Sequence, residues 1–124
     1  MKARLPHRSS LLPLPLPVSE FQILLALADE ERHGYGIMRE VSERTSGEVQ
    51  LGPGTLYGSI KRMVARGLIE ESDERPDPEL DDERRRYYRI TSLGRRVVVA
   101  EARRMELMVG IARAKRLLKR PEPA

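Results

Sequence analysis

The sequence predicts a mainly α fold with a small β-hairpin wing (α+β): a winged helix-turn-helix followed by a long C-terminal dimerisation helix. Three observations predict it. The stretch from Leu51 to Thr91 passes from a Gly-Pro-Gly turn into a short helix, then into two strand-like runs around a polar tip. Two apolar helical segments precede that stretch. A long charged segment with helical periodicity follows it. Helices and hairpin in this order form a module that usually reads double-stranded DNA.

A chain of 124 residues holds one domain with a modest core. Aromatic residues make up 4% and tryptophan is absent, so the core must be aliphatic. The formal net charge of +4 favours a polyanionic partner without proving one. The charge is unevenly placed. Glu70 to Arg86 holds nine acidic and four basic residues, and Tyr87 to Ala124 holds ten basic and three acidic. The acidic block reads as a solvated loop and the basic block as a long helix. There is no cysteine, which excludes disulfides, thiol redox sensing and thiolate metal sites. No apolar run approaches the ~18 residues a membrane span needs. The amino terminus mimics a signal peptide, but Pro13, Pro15 and Pro17 interrupt its apolar segment. Residues 1–17 therefore read as an extended or disordered arm, and the protein as cytoplasmic.

The first helix opens at Ser19, a good N-cap with Val18 before it. Phe21, Leu24, Leu25, Leu27 and Ala28 make it apolar over most of its surface, so it needs cover on two sides. Asp29 to His33 is a polar break. A second helix runs from about Gly34 to Thr45, with Ile37 and Val41 inward, and ends at Ser46-Gly47. Val49 to Leu51 can add a short strand beside the hairpin. The third helix starts near Pro53 or Thr55, where proline's missing N–H had no partner. At 100° per residue, Leu56, Ile60, Met63 and Val64 share its core side. Gly58, Lys61, Arg62 and Ala65 lie opposite, flanked by Thr55 and Tyr57. Leu68 to Ser72 and Arg86 to Thr91 read as wing strands, with Pro76 and Pro78 in the loop between. Thr91 or Ser92 caps the last helix, which runs to about Leu118 and bears two apolar stripes. One holds Val98, Ala102, Met105, Val109 and Ala112. The other holds Leu93, Val97, Ala100, Leu107, Ile111, Ala114 and Leu118. One stripe can pack on the helix's own domain, and the other, with Met108, needs a second chain to cover it. Residues 18–91 thus form the winged domain, 92–118 the dimerisation helix and 119–124 a tail.

Three features suit DNA. Gly52 and Gly54 let backbone approach phosphate at a helix N-terminus. Lys61 and Arg62 share the outward face with Gly58, whose missing side chain lets the helix sit deeper in a major groove. Arg62 can then reach a guanine edge or a phosphate. Arg84, Arg85 and Arg86, at the base of the wing, can hold phosphates in or beside the minor groove. Tyr57, at the edge of the outward face, can give its hydroxyl to a phosphate. Tyr35 is open between that role and the core. Tyr87 and Tyr88 alternate, so one of them is core. Enzyme chemistry finds little support. His7 and His33 lack metal-ligand spacing, Asp81 and Asp82 sit in a loop with no scaffold for acid/base work, and no phosphate-binding glycine motif is present. No metal or cofactor is expected.

The segments GTLYGSIKRMVARGLIEES and RRRYYRITSLGRR, with HGYGI upstream at His33 to Ile37, resemble the PadR family of bacterial transcription regulators. The similarity runs from about Val18 to Leu118, and these segments fall in the family's order and spacing. Many members carry proline after the tyrosine, where this chain has Gly58. The resemblance implies that Tyr57 contributes to DNA contact and that the chain is a homodimeric repressor. It would act by occluding an inverted-repeat operator. The resemblance also implies a small-molecule effector or stress signal that changes the spacing of the two heads, although the sequence names no such ligand. Family members that bind flat drugs between subunits can use tryptophan there, and this chain has none. The alternative is a winged-helix protein-interaction module whose basic face serves an acidic protein.

Overall fold

The computed structural model describes residues 14–72 and 86–119. Its elements are α1 (Val18–Leu27), β1 (Arg32–His33), α2 (Gly34–Arg44), α3 (Pro53–Ala65), β2 (Ile69–Ser72), β3 (Tyr87–Ile90) and α4 (Ser92–Ala114). α1 lies at the centre and packs against α2, α3 and α4. Its Ile23, Leu24, Ala26 and Leu27 are buried among Ile37, Val41, Leu56, Ile60, Met63 and Val97. That central placement supplies the cover its apolar surface demands. Leu16, at the end of the segment read as an arm, also packs into this core.

The sheet has the order β1-β3-β2 and is antiparallel throughout. β2 and β3 form the expected hairpin, with Glu70 opposite Arg89 and Glu71 opposite Tyr88. The third strand corrects an expectation. It is Arg32–His33 that pairs with β3, and Val49 to Leu51 forms no strand. The polar break before α2 runs extended beside Tyr87 and Tyr88. Arg32 holds it there by donating from Nε to the Ala26 carbonyl (2.8 Å). Val49 instead gives its N–H to the Thr45 hydroxyl (3.0 Å), which ties it to the end of α2.

Helix boundaries follow local chemistry. α1 begins one residue before the expected cap, with Pro17 in the cap position and no side-chain capping bond. The Ser19 hydroxyl is spent elsewhere, 2.9 Å from the Ser59 hydroxyl of α3. His33 Nδ1 accepts from the Gly36 N–H (3.1 Å) and caps α2. Thr91 accepts from the Gly94 N–H (3.0 Å) and caps α4. Gly67 ends α3 at a φ of +77°, with Leu68 N–H returning to the Met63 carbonyl (2.9 Å), a closure that favours glycine. At α4 the same closure falls on Arg116, with Leu117 N–H bonded to the Ala112 carbonyl (2.9 Å). Leu118 therefore lies beyond the helix rather than at its last turn.

α4 corrects the two-stripe picture. Its buried residues are Gly94, Val97, Val98 and Glu101, drawn from between the two stripes. Val98, assigned to a dimer contact, is 7% exposed in the chain's own core. Gly94 makes this packing possible, because a Cβ there would overlap the Leu68 carbonyl oxygen and press on Ile90. Past Glu101 the body of the protein ends. Met105, Leu107, Met108, Val109 and Ile111 are exposed from both stripes at once.

Candidate nucleic-acid interface

α3 presents the face expected of it. Leu56, Ile60 and Met63 are buried, while Thr55, Tyr57, Lys61, Arg62 and Ala65 are exposed and Gly58 is half-buried. Val64, placed on the core side by the helical wheel, is 43% exposed because the buried arc is centred on Ser59 and Ile60. At the helix start, nothing lies within 4 Å of where a Cβ of Gly52 or Gly54 would stand. The first intrahelical bond runs from Leu56 N–H to the Gly52 carbonyl (2.9 Å). The N–H groups of Gly54 and Thr55 precede it, on residues that are exposed.

Gly34 seats Tyr57. A Cβ on Gly34 would collide with the Tyr57 phenol, so the bare backbone at the start of α2 is the bed for that ring. The HGYGI motif itself gives no sign of this role, because the contact joins residues 23 positions apart. Tyr57 remains 48% exposed, and Tyr35 projects nearby on α2 with the Arg39 guanidinium 5.9 Å from its ring centre. Tyr35 is therefore on the surface rather than in the core. Tyr88 is the buried member of the wing pair, and Tyr87 meets His33 edge-on with ring centres 5.2 Å apart. Burial pushes the Tyr88 phenol above its usual value, and the nearby Glu71 carboxylate adds to the rise.

Arg62 has partners the helical wheel did not supply. Glu20 of α1 is 1% exposed and sits under α3. Arg62 Nε lies 3.6 Å from its Oε2, and Arg66 Nη1 lies 3.1 Å from its Oε1. Arg62 Nη2 also donates to the Ser59 hydroxyl (3.1 Å), and Ser59 in turn meets Ser19. The Arg62 guanidinium thus leans back toward α1, with Nη1 3.5 Å from where a Gly58 Cβ would stand. A signal for this network was present. Glu20 shares the helical spacing of Ile23, Leu24 and Leu27, and Ser59 shares that of Leu56, Ile60 and Met63. Polar residues inside a buried stripe require partners.

Among the described residues, Arg86 and Arg89 pair with carboxylates of β2. Arg86 reaches Glu71 (3.3 Å) and Arg89 reaches Glu70 (2.8 Å). Arg84 and Arg85 lie outside the described residues. So does the acidic tip, together with residues 1–13 and 120–124. Among the described residues, no cluster of three or more His, Cys, Asp or Glu is placed to hold a metal ion. No described helix is long and apolar enough to cross a membrane.

Three helices about α1, a three-stranded wing and an exposed cationic face on α3 define a winged helix-turn-helix protein. Residues 23–100 match the transcriptional regulator PadR-like family, and the chain belongs to that family. It is 36% identical over 84 residues to the transcriptional regulator Rv3488 of Mycobacterium tuberculosis, covering 68% of this chain and 72% of that one. It is 35% identical over 92 residues to a 37.1 kDa protein of transposon TN4556 from Streptomyces fradiae. That match covers 74% of this chain, which spans only 24% of the transposon protein. A PadR family transcription regulator from Clostridium difficile R20291 superposes with a TM-score of 0.65 at 25% identity, over 79% of this chain and 97% of that one.

Proposed function

We propose that this chain is a sequence-specific, double-stranded DNA-binding transcriptional repressor that works as a homodimer and occludes an inverted-repeat operator. One observation carries the reading. The outward face of α3 gathers Tyr57, Lys61 and Arg62 beside a helix start whose backbone is open at Gly52 and Gly54. Cationic side chains and free N–H groups on one ridge suit phosphates and base edges of a major groove. Tyr35 extends this ridge from α2. Arg86 stands on its wing side and must exchange Glu71 for a phosphate, with Arg84 and Arg85 proposed as further phosphate contacts from their place next to it in the sequence. The second half of α4, with Ala102, Met105, Leu107, Met108, Val109, Ile111 and Ala112, supplies the dimer contact together with Leu118 just past the helix. Covering it returns roughly 25 cal/mol per Å² of apolar area. An effector that alters the spacing of the two heads would relieve repression.

The test is selection of bound sequences from random duplexes, followed by affinity against salt for the selected and a scrambled duplex. The reading expects an inverted repeat and a clear preference for it. Weak binding to both duplexes with no preference would overturn it. That result would favour an interaction module for an acidic protein.

A further inference from the structure

We propose that Glu20 is a specificity-determining residue of the α3 face: it tethers Arg62 and Arg66, and so suppresses sequence-independent grip on the DNA backbone. The inference rests on the DNA-binding reading above. Its basis is a carboxylate with 1% exposure sitting beneath Arg62 of α3 and Arg66 at the C-cap of that helix, rather than on the far side of the molecule.

Two half-exposed guanidinium groups on a DNA-facing helix would ordinarily act as free phosphate contacts. Each phosphate neutralised adds sequence-independent affinity and steepens the salt dependence. Glu20 changes both properties. Its single negative charge offsets one of the two positive charges facing the groove. It also draws Arg66 to 3.1 Å and Arg62 to 3.6 Å, from the side of α3 that meets α1. Ser59, fully buried, fixes a second point on Arg62 at 3.1 Å, and is itself fixed by Ser19 at 2.9 Å. An arginine hydrogen-bonded to Ser59 and drawn electrostatically toward Glu20 loses less freedom on binding than an unrestrained one, and favours one direction for its fork. A free arginine would accept any phosphate within reach of its stem. A tether of this kind lowers affinity for random DNA more than affinity for a site that matches the held geometry. Glu20 touches no base in this account. It acts through Arg62 and Arg66, as a positioning residue.

The experiment measures affinity against salt for the selected operator and a scrambled duplex, using the full chain and Glu20→Gln. The parent protein tests the parent reading, since its failure to prefer any duplex sinks DNA recognition itself. The variant tests the tether. Freed arginines should tighten binding to the scrambled duplex and steepen its salt slope by about one to two units, at roughly 0.9 per added phosphate. The operator-to-scrambled ratio should fall on the order of ten-fold, since a held fork no longer selects its partner. In an Arg62→Gln, Arg66→Gln background the same change at position 20 should leave the slope unmoved, which a purely structural role does not predict. Ser59→Ala, a smaller lesion that leaves the ion pairs in place, should shift slope and ratio in the same direction by less. It carries the test if Glu20→Gln does not fold. An unchanged slope and ratio in a variant that melts like the parent would overturn the proposal and leave Glu20 a clamp between α1 and α3.

Discussion

Glu101 is a fully buried carboxylate midway along α4, and its surroundings make it a source of acid-sensitive stability. It accepts from Arg104 Nε (2.6 Å) and Nη2 (3.1 Å), and from the Leu16 N–H (2.9 Å). The Arg104 hydrogen bond holds the carboxyl below its usual range, with the Leu16 N–H assisting and burial opposing. A depressed folded-state pKa contributes stability that is complete above the unfolded value of about 4.3, and is lost as the pH falls below it. Glu101→Gln should therefore lower the melting temperature near neutrality, at a cost of about 1–3 kcal/mol. It should also flatten the acid limb of stability against pH. Thermal melts from pH 7 to 3 check both, and parallel acid limbs in parent and variant would contradict the assignment. Gly34 makes a second residue-scale case. In Gly34→Ala the new methyl meets the far end of the flexible Tyr57 side chain, so the ring should swing away at small cost to folding. Operator affinity should fall while the melting temperature holds. A normal affinity would show that the seat of Tyr57 does not matter to binding.

At the scale of elements, α3 and α4 each have two faces with separable duties. On α3, Leu56→Ala opens a cavity beneath the helix and should cost about 2–5 kcal/mol of stability. Lys61→Ala should leave melting unchanged while weakening every duplex, with the salt slope reduced by about one unit. Melting and binding titrations on the same two variants separate the roles. The reverse pattern would exchange the buried and outward faces of the helix. α4 approaches the wing through Gly94. A methyl there meets rigid backbone at Leu68 instead of a movable side chain. Gly94→Ala should cost about 1–3 kcal/mol, enough to lower the melting midpoint by about 4–8 °C per kcal/mol for a domain of this size. An unshifted midpoint would mean that α4 can ride outward freely.

For the whole molecule, the decisive quantity is apolar surface with no cover in one chain. The second half of α4 leaves the body after Glu101 and carries five exposed apolar side chains between Met105 and Ile111. Ending the chain after Arg104 retains the Glu101–Arg104 pair and every buried residue of α4. The shortened protein should be a folded monomer, and the intact one a dimer at micromolar concentration. Sedimentation of the two distinguishes them, and a monomeric intact chain would remove the dimer. Two heads related by a two-fold axis should then require half-sites about 10 base pairs apart, or a multiple of that. Footprints on spaced half-sites check the geometry, and full affinity for an isolated half-site would contradict it.

Much of the architecture was legible from periodicity and punctuation. The apolar spacing in α1, α2 and α3, the Gly67 stop, a cap at Thr91 or Ser92 and the alternation that buries one of Tyr87 and Tyr88 are local matters, decided within one or two helical turns. The outward placement of Tyr57, Lys61 and Arg62 followed from the same arithmetic. What only the tertiary structure decided concerns residues distant in the chain. β1 formed at Arg32–His33 and not at Val49 to Leu51, because β3 passes beside the former. Val98 went inward because α4 meets α1 between its two stripes, an angle no helical wheel contains. Glu20 met Arg62 and Arg66 across 42 and 46 positions of chain. A sequence states which side chains share a face of their own helix. Which foreign face they meet depends on how the helices cross, and that is set by the packing of the whole core.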